Sequence, residues 1–365
     1  MIRRVLASRP PAHIGGASVG GPGGGPLGRG RLARGLQLVG AAANRRGAVA
    51  PVEPVEPLPA PPGGASAWSV EESFAYCEGI ARGHAESFPV ASRFVPPVLR
   101  RYVWAIYAFA RTADDYADEA HWAGRRAPAL DHWEDQLERA FHGEAEHPIF
   151  VALRETAFRR DVPISPLRDL LTSFRMDLTT SRYATFESLL VYAQHSAASV
   201  GQLLLYTFDY RDPAMHRYAD DISIALELTH FLQDLPIDLA RDRLYLPEED
   251  LRHFGVAEAD LLAGRATRAV RDLMRFQVAR ARALFMRGRP LCDRVGRDLG
   301  FELNLIWHAG MAILDKIDAA DGDVFGKRPA LGRADQALMV LRSAARRWPR
   351  RDRLDHLDLP GDRNR

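Results

Sequence analysis

Two cysteines, Cys77 and Cys292, are all that 365 residues contain. They can form neither a disulfide framework nor a four-ligand zinc site. Both read as small buried hydrophobes in a reduced, cytoplasmic setting. An excess of one charge sign is also missing. Forty-nine Lys and Arg face 47 Asp and Glu, for a net charge of +2. No nucleic-acid footprint follows from that balance, so no nucleic-acid partner is expected. Long apolar runs are missing as well. The stretch 303–317 is interrupted by Asn304, His308 and Asp315. Nothing reaches the ~20 apolar residues of a membrane-spanning helix. Alternating β-branched runs are scarce, which argues against a sheet.

What is present falls into three regimes. Residues 1–66 are rich in Gly, Pro and Arg, and repeat Pro-Val-Glu-Pro near residue 51. Such a segment cannot bury enough apolar surface to offset its ordering entropy, so an unstructured extension is expected. No adequate apolar stretch follows Arg3 and Arg4, so a signal peptide is a poor match. The alternative role for its arginines is a peripheral contact at the inner membrane. Its Gly-x-Gly spacings have no strand before them and no helix after them, so they are not a dinucleotide loop. Residues 67–345 read as one all-α domain. Apolar residues recur at three- and four-residue spacing over 70–82, 99–118, 130–142, 163–176, 186–208, 219–239, 268–295 and 299–319. Residues 346–365 form a polar, Arg-rich tail.

The chemistry concentrates on two of these helices. Tyr107, Arg111, Asp114 and Asp118 stand at offsets 0, 4, 7 and 11. At 3.6 residues per turn that places them within about 60° of one another. Asp115 flanks the same face. Glu227, His230, Asp234 and Asp238, at offsets 0, 3, 7 and 11, make a second face. Carboxylates four residues apart repel each other on a helix, and a hard divalent cation removes that penalty. Mg2+ bridges one or two carboxylates to substrate phosphate oxygens, and Arg forks suit the same oxygens. Two facing clusters of this kind describe a diphosphate site in a helical bundle. Taken singly, either cluster is better read as a solvated acidic face. Their apolar surroundings and the nearby Arg111 and Arg243 favour the site.

At this point the chain resembles the squalene/phytoene synthases. YCEGIARGHAESFPVASRFVPPVLRRYVWAIYAFARTADDYADE is similar to the opening of that family. Its His-x-x-Ser-Phe element falls on His84, Ser87 and Phe88, and its first aspartate motif on Asp114, Asp115 and Asp118. RMDLTTSRYATFESLLVYAQHSAASVGQLLL resembles the central region, with Asp177, Arg182, Tyr183, Tyr192, Ala197 and Gly201 in register. LTHFLQDLPIDLARDRLYLPEEDLRHFGV resembles the second motif through Asp234, Asp238, Arg243, Tyr245 and Pro247, and VFGKRP matches near the end. The resemblance implies an isoprenoid-synthase helical bundle around a central prenyl cavity. It implies Mg2+ held by Asp114, Asp115, Asp118, Asp234 and Asp238. Tyr107 and Tyr183 join them as catalytic candidates. Diphosphate contacts fall on His84, Ser87, Arg93, Arg111 and Arg243, with Phe88, Ala197, Gly201, Glu227, His230 and Tyr245 completing the substrate site. Phe-Pro-Val-Ala-Ser-Arg, Gln233 and Gly310 (where condensing members commonly carry Tyr) resemble the hydroxysqualene-forming branch of hopanoid and squalene biosynthesis. That branch implies presqualene diphosphate and water as substrates, and companion enzymes before and after. The alternatives are another branch, making presqualene diphosphate, squalene or phytoene from two prenyl diphosphates such as farnesyl diphosphate, and a non-catalytic homologue.

Several residues depart from the family pattern. Glu227 stands where Gln is usual, His230 where Asn is usual, and Asp242 where Gly is common. Pro236 lies between Asp234 and Asp238, where it removes a backbone donor and should kink the helix. His195, His253 and His308 show no ligand spacing.

Overall fold

The structure is a computed structural model and describes residues 68–83 and 95–345. The extension, the C-terminal tail and the sites at His84, Ser87, Phe88 and Arg93 lie outside the described residues.

The described chain is helical, with no strand and one isolated bridge between Arg182 and Leu244. Val70–Gly83 (α1), Pro97–Asp118 (α2), Arg126–Phe141 (α3), Pro148–Arg160 (α4) and Ser165–Thr179 (α5) form one half. Phe186–Ala193 (α6) runs through a π turn at Gln194–Ala198 into Ser199–Thr207 (α7). Pro213–Gln233 (α8), Leu235–Leu239 (α9), Glu248–Phe254 (α10), Glu258–Leu262 (α11), Arg268–Gly288 (α12), Leu291–Arg294 (α13), Arg297–Ala319 (α14) and Arg333–Ala344 (α15) complete the bundle. Helix starts carry their expected caps. The Thr185 and Thr267 hydroxyls accept from the amides of Ser188 and Val270. Proline opens α2, α4 and α8, where its missing donor costs nothing.

Two apolar cores result. The first is aromatic and lies among α1–α5. Trp133 packs on Phe109 and Phe150, and its indole donates to the Phe109 carbonyl at 3.3 Å. The second gathers α6–α14 around Phe231, Leu273, Phe285 and Leu314. Helix α2 serves both: Val103 belongs to the second core and Phe109 to the first. Both cysteines are buried, and burial pushes the Cys77 thiol up to about 12.

The helices differ from the spacing in several places; α10, α11 and α15, for instance, lie outside the expected spans. α4 lacks any apolar stripe to read, because Pro148 through Leu153 are all buried in succession. The expected helix 219–239 begins earlier, at Pro213, and breaks at Asp234 (φ −102°, ψ 10°). Pro236 supplies the reason, since it cannot donate to the carbonyl four residues back. Beyond the break the turn resumes: Asp238 donates from its amide to the Asp234 carbonyl at 2.9 Å. Finally, 268–295 is two helices, α12 and α13.

Candidate active site

α2 delivers the first acidic face. Asp114 is 4% exposed and Tyr107 2%, so both point into the bundle. Arg111 lies 3.5 Å from Asp114, pairs with Asp115 and reaches Glu119 at 4.0 Å. Burial outweighs that pairing at Asp115 and pushes its carboxyl up to about 6. Burial also raises the Tyr107 phenol above its ordinary value, against the pull of Arg111, so the group stays protonated.

α8 and α9 deliver the second face. Glu227 is 1% exposed, while His230, Asp234 and Asp238 are half-buried. Two long-range arginines tie this face together. The Arg243 guanidinium, just past α9, donates to Asp118 at 3.0 Å across 125 residues. Both acidic segments therefore meet at one end of the bundle. Arg328, inside the VFGKRP segment, donates to Asp234 at 2.6 Å. Gln233 holds that segment in place by donating to the Pro329 carbonyl at 2.6 Å. Asp242 takes φ +57°, the left-handed region that explains the family's glycine there. Arg182 braces this turn from the Asp242 carbonyl (2.7 Å) and carboxylate (2.8 Å) to Glu258 (2.7 Å).

Beside the acids stands an aromatic cluster. Tyr245 stacks on Phe231 at 4.0 Å and 5°, with Tyr183 and Tyr192 at 5.9 and 5.7 Å. Asp177 accepts from the hydroxyls of Tyr192 (3.2 Å) and Tyr245 (3.5 Å). Sequence reasoning gave no site role to Asp177, Tyr192, Gln233 or Arg328. Family register had quoted Asp177 and Tyr192, but their partners lie too far along the chain to be read from spacing.

Farther down α8 is an apolar cavity of about 30 Å3. Its walls include Gly201, Leu204, Ser223, Leu226, Leu303 and Ile306. Of the expected channel residues Gly201 lines it, and Ala197 is fully buried one turn away. Tyr107 and Tyr183 are not among its walls; they belong to the acidic face and the aromatic cluster. Lodging a prenyl chain requires the leucine walls to part.

Among the described residues no three acids or histidines converge as a ready metal cluster. Mg2+ needs no such cage, because it keeps waters and takes one or two carboxylates plus substrate phosphates. Five aspartates on two converging segments fit that requirement.

This arrangement is an isoprenoid-synthase bundle, and solved structures of that kind resemble it. Squalene synthase HpnC from Alicyclobacillus acidocaldarius superposes with a TM-score of 0.67 at 39% identity, covering 69% of this chain and 95% of that one. A dehydrosqualene synthase with bound ligand gives 0.68 at 25% identity, covering 75% and 96%. The squalene/phytoene synthase family model matches residues 81–335, and the chain belongs to that family of prenyl-diphosphate enzymes. The phytoene synthase of Arthrospira platensis is 34% identical over 273 residues, covering 70% of this chain and 87% of that protein. The 15-cis-phytoene synthase of Synechocystis is 34% identical over 275 residues, with coverages of 71% and 81%.

Proposed function

We propose that this chain converts presqualene diphosphate and water to hydroxysqualene and diphosphate. The observation that carries the branch assignment is at Gly310. A Cβ there would lie 2.2 Å from Phe285 Cζ, so the Phe285 ring fills the room beside a position where condensing relatives commonly carry Tyr. The likeness to squalene synthase HpnC supports a product of the squalene class.

Asp114, Asp115, Asp118, Asp234 and Asp238 would hold Mg2+ with the substrate diphosphate. When bound, the ion supplies charge neutralisation for the leaving group. The protein's own part is orientation and electrostatics. Arg243 and Arg328 are held at the site by carboxylates, and diphosphate oxygens compete for the same forks. Arg111 plays the same part at the start of the first motif. Tyr107, kept protonated by burial, can donate to a departing oxygen. The faces of Tyr183, Tyr192, Tyr245 and Phe231 offer negative π density to developing cationic charge. The apolar wall below keeps bulk water from the cation until rearrangement is complete. A companion enzyme would supply presqualene diphosphate, and a second would reduce the alcohol. No helix among the described residues can cross a membrane. Delivery of so apolar a product therefore calls for a peripheral surface contact.

The test is product analysis of the purified chain with Mg2+, offered presqualene diphosphate or farnesyl diphosphate. Hydroxysqualene from the first alone supports the assignment. Untouched presqualene diphosphate sinks it. A second reading, condensation of two prenyl diphosphates, is favoured by the names of the curated relatives. It predicts consumption of farnesyl or a longer prenyl diphosphate supplied alone.

A further inference from the structure

Ser196 is 7% exposed, and its hydroxyl has no hydrogen-bond partner among the described residues. Most other buried helical hydroxyls among the described residues behave differently, Ser343 in α15 excepted. Thr156, Ser199, Thr207 and Thr229 each donate to the carbonyl four residues earlier. A buried, unmade hydroxyl bond is costly, so this one invites a ligand.

Its position is fixed by two local features. Ser196 lies in the π turn, where the Ser199 amide donates to the Gln194 carbonyl five residues back. One α-turn back from Gly201 is Ala197, and Ser196 is its chain neighbour inside the π turn. Gly201 lines the apolar cavity and meets α8 closely: a Cβ there would stand 2.5 Å from Ser223 Oγ. α7 and α8 are joined by the short segment 208–212 and run antiparallel. One turn back from Gly201 is thus the same direction as one turn forward from Ser223. The first step reaches Ala197, next to Ser196, and the second reaches Glu227, which is 1% exposed. Ser196 and Glu227 therefore stand at similar heights along the two helices, on the aspartate side of the apolar cavity. The 30 Å3 cavity just below, with the Ser223 hydroxyl in its wall, has the size of a water site and not of a chain.

We infer that Ser196 holds the water that captures the rearranged carbocation, and that Glu227 takes the proton it releases. The inference rests on the hydroxysqualene reading and specifies how it ends. A lone pair of the water oxygen forms the new C–O bond at the cationic carbon. One O–H bond breaks, its proton passes to the Glu227 carboxylate, and the other hydrogen stays as the product hydroxyl. Nothing is oxidised or reduced. Ser196 acts by fixing the water oxygen against one carbon while apolar walls exclude other water.

The experiment uses the full chain with Mg2+ and presqualene diphosphate in isotope-labelled water, and reads the product ratio, not the rate. Wild type is expected to give labelled alcohol. Ser196→Ala is expected to cut the alcohol share about tenfold, the size of one lost water-holding bond, in favour of hydrocarbon formed by proton loss. Ser196→Thr keeps a hydroxyl and is expected to restore the alcohol share. Melting curves confirm that each variant is folded. A Ser196→Ala product mixture with the wild-type alcohol share overturns the water site, as does a fall in rate at unchanged share, which is how a packing role would behave. If wild type itself gives only unlabelled hydrocarbon, the hydroxysqualene reading falls, and the water site falls with it.

Discussion

Glu302 is buried in α14 at 2% exposure, and one of its carboxylate oxygens lacks a partner among the described residues. Burial alone pushes its carboxyl up to about 8. The folded form therefore keeps a proton that the unfolded chain loses near its ordinary value of 4.5. The stabilising contribution is complete below about 4.5 and disappears as pH rises through about 8. Within that window the slope is about 1.4 kcal/mol per pH unit. Urea unfolding of wild type and Glu302→Gln at pH 5, 6.5 and 8 tests this: the variant should gain on wild type as pH rises. His147, lowered by burial to about 4, has the opposite trend below 6.5 and cancels in the comparison. Equal pH slopes in the two proteins would sink the idea. At the candidate site, Asp114→Ala and Arg243→Ala should each lower turnover by roughly 10²-fold, the usual size for one lost electrostatic contact. The acids were legible in the sequence because each set repeats at helical spacing. Arg111 and Arg243 were legible beside them, but Arg328 and the pairings Arg243–Asp118 and Arg328–Asp234 were not, because those pairs span 125 and 94 residues.

Among the helices, close approach decides what can change. Gly288 is the tightest point between α12 and α8: a Cβ there would meet the Tyr218 carbonyl at 2.7 Å and the Ile222 amide at 3.0 Å. Backbone atoms cannot swing aside, so Gly288→Ala should cost about 1–3 kcal/mol, read as a lowered urea midpoint at unchanged slope. Gly201 meets only a rotatable hydroxyl at comparable distance, so Gly201→Ala should cost less while narrowing the cavity. Pro236→Ala restores a backbone donor and should raise stability. If the break at Asp234 sets the direction of Asp238, the same variant loses turnover. A stabilised and fully active Pro236→Ala would show the break to be incidental. Helices with one apolar stripe were legible from spacing, as α2 and α12 were. α4 was not, since burial on all sides leaves no period to detect. The end of α8 was foreseen because proline acts locally.

Considered whole, the protein has two cores that share α2, and its acidic site lies where chain segments from both halves meet. Ligand binding at such a place should stabilise the entire fold. Mg2+ with inorganic diphosphate is expected to raise the melting temperature together, each alone much less, since linked ligands add RT ln(1 + [L]/Kd). Asp114→Ala should abolish that joint shift, measured by thermal scanning. No shift with the pair in wild type would argue for a non-catalytic homologue. The helical class followed from composition and spacing alone. The meeting of the halves depended on packing that no single window of sequence contains.

The contact between Arg328 and Asp234 also bears on how the protein is born. Ninety-four residues separate the two. At roughly 5–20 residues per second, the ribosome finishes Arg328 about 5–19 s after Asp234. A nascent chain therefore carries its second acidic motif for that interval without the counter-charge that later covers it. Chains arrested before residue 328 should show no stabilisation by Mg2+ and diphosphate, while completed chains should show it. The site would then come into being only at the end of synthesis, leaving no half-made enzyme able to ionise a prenyl diphosphate.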